Sequence, residues 1–154
     1  MGKIKNCAIK PKISLPNKST ILSQGCISEQ YPWFSFRYVT TNSAHSLKFL
    51  EKLEANGREI TLTGLYKKLE ELSKEPWTYW TQNRKSSGLE TINYSELNFQ
   101  VSNFPELTKD TSIYVFRFDT YQGTGKGRLL GFKLSPCSVF HIIGYDFDFS
   151  AYKH

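Results

Sequence analysis

The chain has 154 residues, of which 39% are hydrophobic and 15% aromatic, and its formal net charge is +6. This length is typical of one domain, and the apolar content is enough for a core and too high for a disordered chain. No stretch approaches the roughly 18 apolar residues of a membrane span, and the first residues lack the apolar segment of a signal peptide. We therefore expect one cytoplasmic domain with no membrane partner.

The positive charge is concentrated near the N-terminus. Five lysines precede the first acidic residue, Glu29, and the remaining chain is close to neutral; they are Lys3, Lys5, Lys10, Lys12 and Lys18. We predict a basic arm over residues 1–30 and a single domain over residues 31–154. Such an arm either contacts nucleic-acid phosphates or an acidic partner, or it only solubilises the chain.

The residues that most often bind metals are few and irregularly spaced. They are Cys7, Cys26, Cys137, His45, His141 and His154. None forms a C-x-x-C or H-E-x-x-H motif, which favours reduced thiols over disulfides or a zinc site. The sequence therefore predicts neither a metal nor a cofactor.

The first half of the domain predicts one strand and a pair of helices. Aromatic and β-branched residues alternate over Trp33–Val39, which indicates a strand. A first helix is predicted to begin at Asn42 or Ser43 and to end at Asn56-Gly57. A second is predicted to begin at Thr61 or Thr63 and to end near Pro76.

The second half predicts a sheet. Residues 89–110 show no clear period beyond a short strand at Leu97–Val101, and three strands follow at Ser112–Phe118, Arg128–Leu134 and Ser138–Phe149. A glycine-rich hairpin loop, Tyr121–Gly127, joins the first two. Three consecutive strands predict an antiparallel three-stranded meander, and helices grouped before a sheet predict an α+β fold.

Several polar residues interrupt strands that are otherwise apolar. Arg117 alternates with Ile113 and Val115, and His141 is predicted to share a face with Ile143 and Tyr145. A charge on an apolar face requires a partner or a function, because isolated burial costs several kcal/mol. A structural interpretation pairs Arg117 with Asp146 or Asp148 and treats His141 as an ordinary strand histidine.

A functional interpretation is RNA cleavage without a metal. That reaction uses the neighbouring 2′-hydroxyl as nucleophile and needs a proton acceptor, a proton donor and cations around the phosphate. The candidate cations are Arg117, Arg128 and Lys133, with Lys126 in the glycine-rich loop as a further nucleic-acid contact. The candidates for proton transfer are His141, Glu90, Tyr152 and His154.

The order of strand, helix pair and meander, with sheet cations and the ending Tyr152-Lys153-His154, resembles the RelE/ParE-type toxin superfamily. This resemblance implies an endoribonuclease of toxin–antitoxin type that is neutralised by an antitoxin protein. It assigns phosphate binding to Arg117 and Arg128. Proton transfer falls to His141, or to Tyr152 and His154. The long segment 77–110 departs from that pattern.

Three segments are similar to a family of small bacterial proteins without an assigned function. They are Pro32–Tyr38, Trp77 with the turn Arg84–Glu90, and Phe140–Tyr152. The similarity draws attention to Arg84, Glu90 and Asp146. A glutamate held by a turn beside an arginine suits a base and its phosphate clamp, and it equally suits a surface ion pair.

Two other functions remain open from the sequence. A non-catalytic nucleic-acid binder would use the basic arm and stack bases on its aromatic residues. A protein-interaction module of a mobile-element or defence system would instead expose aromatic side chains to a partner. The second alternative requires that Trp33, Trp77, Tyr79 and Trp80 be exposed, whereas we expect these side chains to lie in the core.

Overall fold

A computed structural model describes residues 31–83, 88–101, 104, 107–134 and 137–153. The predicted basic arm, residues 1–30, lies outside the described residues. Within the described ranges, no helix is both long enough and apolar enough to cross a membrane.

The fold is an α+β arrangement built on one five-stranded mixed sheet. The strands are β1 (Trp33–Ser35), β2 (Leu89–Asn93), β3 (Ser112–Thr120), β4 (Gly123–Lys133) and β5 (Val139–Asp146). Their order is β1-β5-β4-β3-β2; β1 pairs with β5 in parallel and every other pair is antiparallel. The helices are α1 (Ala55–Lys74), α2 (Trp77–Gln82) and short 3₁₀ turns at Leu47–Lys52 and Tyr94–Glu96.

The predicted α+β class is confirmed, but the predicted meander is too small. β3, β4 and β5 lie side by side in the middle of the sheet, and β1 and β2 extend it on either side. β2 lies within residues 89–110, where the sequence shows no clear hydrophobic period. The strand predicted at Leu97–Val101 is wrong, because Leu97 makes only an isolated bridge to Tyr152.

The predicted pair of helices is also wrong in its boundaries. The segment around Leu50 forms only a 3₁₀ turn, and α1 runs through both predicted boundaries. Asn56 and Gly57 occupy its first turn, where backbone N–H groups lack intrahelical acceptors and weak helix formers are tolerated. Thr61 is buried, and its hydroxyl donates to the Gly57 carbonyl at 2.8 Å. The predicted end near Pro76 is confirmed, since α1 stops at Lys74.

The two faces of the sheet pack against different parts of the chain. α1 and α2 cover one face, here called the helix-covered face, whose core includes Leu65, Leu72, Trp77, Trp80, Phe116, Leu129, Phe140 and Tyr145. Irregular segments cover the other, here called the second face, with Phe99, Val101, Ile113, Val115, Leu130, Phe132, Ile143 and Tyr152.

The four aromatic residues expected in the core divide between core and solvent. Trp77 and Trp80 are buried in the helix-covered core, whereas Trp33 is 59% and Tyr79 41% exposed. The expected core burial is therefore confirmed for Trp77 and Trp80 and wrong for Trp33 and Tyr79.

A register shift between β4 and β5 reverses the alternation of β5 side chains. Leu130 pairs with Gly144, but the next residue of β4, Gly131, pairs with Ile142, so Ile143 is an extra residue. Such a bulge changes which face the following side chains point to. Tyr145 consequently joins the helix-covered core instead of sharing a face with His141, and Asp146 points to the second face.

α1 approaches β3 closely at Gly64. A Cβ atom at this position would lie 2.0 Å from the Asp119 carbonyl oxygen, a distance that no side chain can adopt. At Gly57, seven residues earlier on the same helix, a Cβ would meet the Tyr121 side chain at an ordinary 3.6 Å. The position of α1 on the sheet therefore depends on glycine at one site and not at the other.

We expect Gly64→Ala to destabilise the fold by about 1–3 kcal/mol, because the helix must move away from β3. Gly57→Ala should leave stability unchanged or raise it by about 0.5–1 kcal/mol, since alanine is the better helix former. Urea unfolding of the two variants measures both effects. Equal stability of Gly64→Ala and the wild type would contradict the close helix–strand contact.

Candidate active site on the second face of the sheet

Glu90 reaches the second face because of the register of β2. Its neighbour Leu89 pairs with Phe116 and is buried in the helix-covered core, so the alternation of the strand places Glu90 on the opposite side. The Glu90 side chain is 32% exposed. A carboxylate thus lies at the border between the apolar second face and solvent.

Arg117 is the first partner of this carboxylate. It follows Val115 on the second face, and its Nε donates to Glu90 Oε1 at 2.9 Å, with Nη2 donating to the same oxygen. The Arg117 side chain is 49% exposed. The structural interpretation that paired Arg117 with Asp146 or Asp148 is therefore wrong, because its ion pair is with Glu90.

Tyr152 binds the other carboxylate oxygen. Its hydroxyl donates to Glu90 Oε2 at 3.0 Å, and its backbone is held by the bridge to Leu97. Burial and the nearby Glu90 charge raise the pKa of Tyr152 to about 12. The phenol therefore keeps its proton at neutral pH and remains a hydrogen-bond donor.

Arg128 lies behind these three groups. It pairs with Arg117 across β3 and β4, is only 5% exposed, and donates from Nη1 to the Gly125 carbonyl at 2.8 Å. Its guanidinium carbon lies 4.8 Å from the centre of the Phe149 ring. Arg128 also acts on Tyr152, whose pKa it lowers against the larger effects that raise it. The cluster Glu90, Arg117, Arg128 and Tyr152 is here called the Glu90 cluster.

The cluster sets the charge state of its carboxylate. Burial alone would raise the pKa of Glu90, but hydrogen bonds from Arg117 and Tyr152, and the charges of Arg117 and Arg128, outweigh it. The pKa of Glu90 consequently lies below the ordinary value. Glu90 is an ionised, partly exposed proton acceptor beside two guanidinium groups.

Two of the other predicted residues lie away from this cluster. His141 is on the second face, but five positions before Asp146 on β5, and its ring stacks on Phe132 with centroids 5.0 Å apart. Burial lowers the pKa of His141. Lys133 is on the helix-covered face, where its Nζ lies 5.8 Å from the Trp77 ring centre.

Lys126 is closer to the cluster than either, and two predicted residues fall outside the description. The exposed Lys126 has its Nζ 5.6 Å from the centre of the Phe149 ring that also covers Arg128. Arg84 and His154 lie outside the described residues, so their predicted roles stay predictions. No group of three His, Cys, Asp or Glu side chains suited to a metal occurs in the part of the chain that is described.

Comparison of the chain with protein-family models, curated proteins and solved structures finds no match. The two resemblances noted from the sequence, and the antitoxin partner that one of them implies, therefore stay predictions.

We expect Glu90→Gln to lower stability at pH 7 by up to about 1 kcal/mol, a small effect because the ion pair is partly exposed. The folded pKa of Glu90 is depressed, so its stabilisation is complete above the unfolded pKa and is lost as the pH falls through the folded value. Urea unfolding of both proteins between pH 7 and pH 2.5 should show the difference vanishing in acid. A difference that does not change with pH would contradict the ionic role of Glu90.

Proposed function

We propose that the protein is a metal-independent endoribonuclease that cleaves RNA through the ribose 2′-hydroxyl at the Glu90 cluster. The observation that carries the proposal is the Glu90 carboxylate itself. One oxygen accepts from Arg117 and the other from Tyr152, while Arg128 lies beside them. A base, two phosphate-binding cations and a proton donor thus come together from three strands and the C-terminal segment.

In the proposed first step, Glu90 removes the proton from the 2′-hydroxyl. The 2′-oxygen then attacks the adjacent phosphorus, and the negative charge increases on the non-bridging oxygens. Arg117 supplies positive charge and N–H donors to those oxygens, and the buried Arg128 adds its positive charge from behind, a contribution that strengthens as the charge develops. Arg117, with its half-exposed side chain, makes the first contact with the phosphate.

The second step is the departure of the 5′-oxygen. The bond between phosphorus and this oxygen breaks, and the oxygen takes the proton of the Tyr152 hydroxyl. The phenolate regains a proton from Glu90 through the 3.0 Å hydrogen bond that joins the two side chains. The products are a 2′,3′-cyclic phosphate and a free 5′-hydroxyl, and both residues return to their starting protonation states.

Glu90→Gln is expected to lower RNA cleavage in EDTA by about 10²–10⁴-fold, because glutamine cannot accept the proton. The matched control is Glu59→Gln, which removes a carboxylate from the exposed surface of α1. Gel analysis of a structured messenger RNA measures the rates. Equal cleavage by Glu90→Gln and wild type would overturn the proposed function.

The pH dependence and a histidine variant distinguish Glu90 from His141 as the base. Cleavage by the wild type should rise with pH through the lowered pKa of Glu90, and Arg117→Gln should move this rise to higher pH because a group that lowers the pKa is lost. In His141→Ala, the cleavage rate should rise with pH over the same acidic range as in the wild type. Loss of the rise with pH in His141→Ala would instead assign the base to His141.

A further inference from the structure

We propose that Asp146 is a positioning residue that holds Tyr152 and Arg128 in place around Glu90. This inference rests on the proposed function for its effect on cleavage, and it deepens that function by assigning a role to a residue that touches no substrate. The register shift of β5 places Asp146 on the second face, beside these residues.

Asp146 is fully buried and lies directly opposite Arg128. The two residues pair across β4 and β5, and both point to the second face. Asp146 Oδ2 and Arg128 Nε are buried without hydrogen-bond partners among the described residues. Burial raises the pKa of Asp146, and the donors that oppose this effect are backbone N–H groups of the following turn rather than Arg128.

Asp146 also organises the turn formed by residues 147–151. Its Oδ1 accepts the Ser150 N–H at 3.0 Å, and the backbone N–H groups of Asp148 and Ala151 also favour its ionised form. Asp148 adds a hydrogen bond of 2.5 Å between its Oδ1 and the Ser150 hydroxyl. A single buried side chain is thus tied to the backbone of one turn.

The turn requires this support because its backbone is strained. Phe149 has a φ of 63°, the only positive φ of a non-glycine residue in the described ranges. Phenylalanine adopts this conformation only where surrounding contacts enforce it. This conformation places the Phe149 ring over Arg128 and directs the chain so that Tyr152 reaches Glu90.

A merely structural role and a positioning role make different predictions for the pKa of Glu90. If Asp146 only stabilises the fold, its removal lowers the unfolding midpoint and leaves the Glu90 cluster intact in the folded molecules. If it positions Tyr152 and Arg128, its removal weakens two of the interactions that lower the pKa of Glu90. The pKa of Glu90 should then rise.

The test is NMR titration of the Glu90 carboxyl carbon in the full chain for wild type, Asp146→Ala, Tyr152→Phe and the double variant. We expect the pKa of Glu90 to rise in each single variant. The rise in the double variant should be smaller than the two single rises added together, because both changes remove the same hydrogen bond. Asp148→Asn is the matched control in the same turn and should leave this pKa at the wild-type value. An unchanged pKa in folded Asp146→Ala would overturn the proposal.

A second variant keeps the test decisive if Asp146→Ala does not fold. Asp146→Asn keeps the size of the buried side chain and is titrated in its place, with a smaller rise of the Glu90 pKa expected and an unchanged pKa overturning the proposal. In cleavage assays, Asp146→Ala and Tyr152→Phe should lose the same factor in kcat, about ten-fold or more. If the pKa of Glu90 rises in Asp146→Ala but the wild type cleaves no RNA, the nuclease function is refuted and the positioning role of Asp146 stands. If the wild type cleaves RNA but the pKa of Glu90 does not change in Asp146→Ala, the positioning role is refuted and the nuclease function stands.

Discussion

The organisation of the second face depends on the balance of charge around a buried arginine. Arg128 is almost inaccessible within an apolar sheet, where an uncompensated guanidinium would cost several kcal/mol. Its Nη1 donates to the Gly125 carbonyl, the Phe149 ring lies over it, and the charge of Glu90, which is shared with Arg117, opposes its own. Because the buried guanidinium is tolerable only with these contacts present, Arg128 and its neighbours form one unit, and loss of a single contact leaves its charge less well compensated.

This unit links the register of the sheet to chemistry. The extra residue in β5 sends Tyr145 into the helix-covered core and Asp146 to the second face. The Asp146 carboxylate then holds the strained turn from which Tyr152 returns to Glu90. β-bulges often lie next to active sites because they redirect a side chain without disrupting the rest of the strand. Here a one-residue shift places the groups that lower the pKa of the proposed base.

All four members of the Glu90 cluster could be named as candidates from the sequence, but their arrangement could not. Arg117 stood out because a charge interrupts an apolar alternation, and the same alternation correctly predicted the central strands. The ion pair with Glu90 could not be predicted, because β2 is too short to show a period and its pairing with β3 is a long-range contact. The bulge is equally invisible in the pattern of residues. The helix boundary at Asn56-Gly57 failed for a different reason, since local propensity is overridden where tertiary contacts hold a helix against a sheet.

The chemical identity of the cleavage product tests the central claim most directly. RNA incubated with the wild-type protein in EDTA is analysed by mass spectrometry of its new ends, beside the same sequence carrying 2′-fluoro sugars. The account predicts 2′,3′-cyclic phosphate and 5′-hydroxyl ends from RNA, and an intact 2′-fluoro strand, because the nucleophile is the 2′-hydroxyl activated by Glu90. Intact RNA, or cleavage of both strands alike, would contradict it.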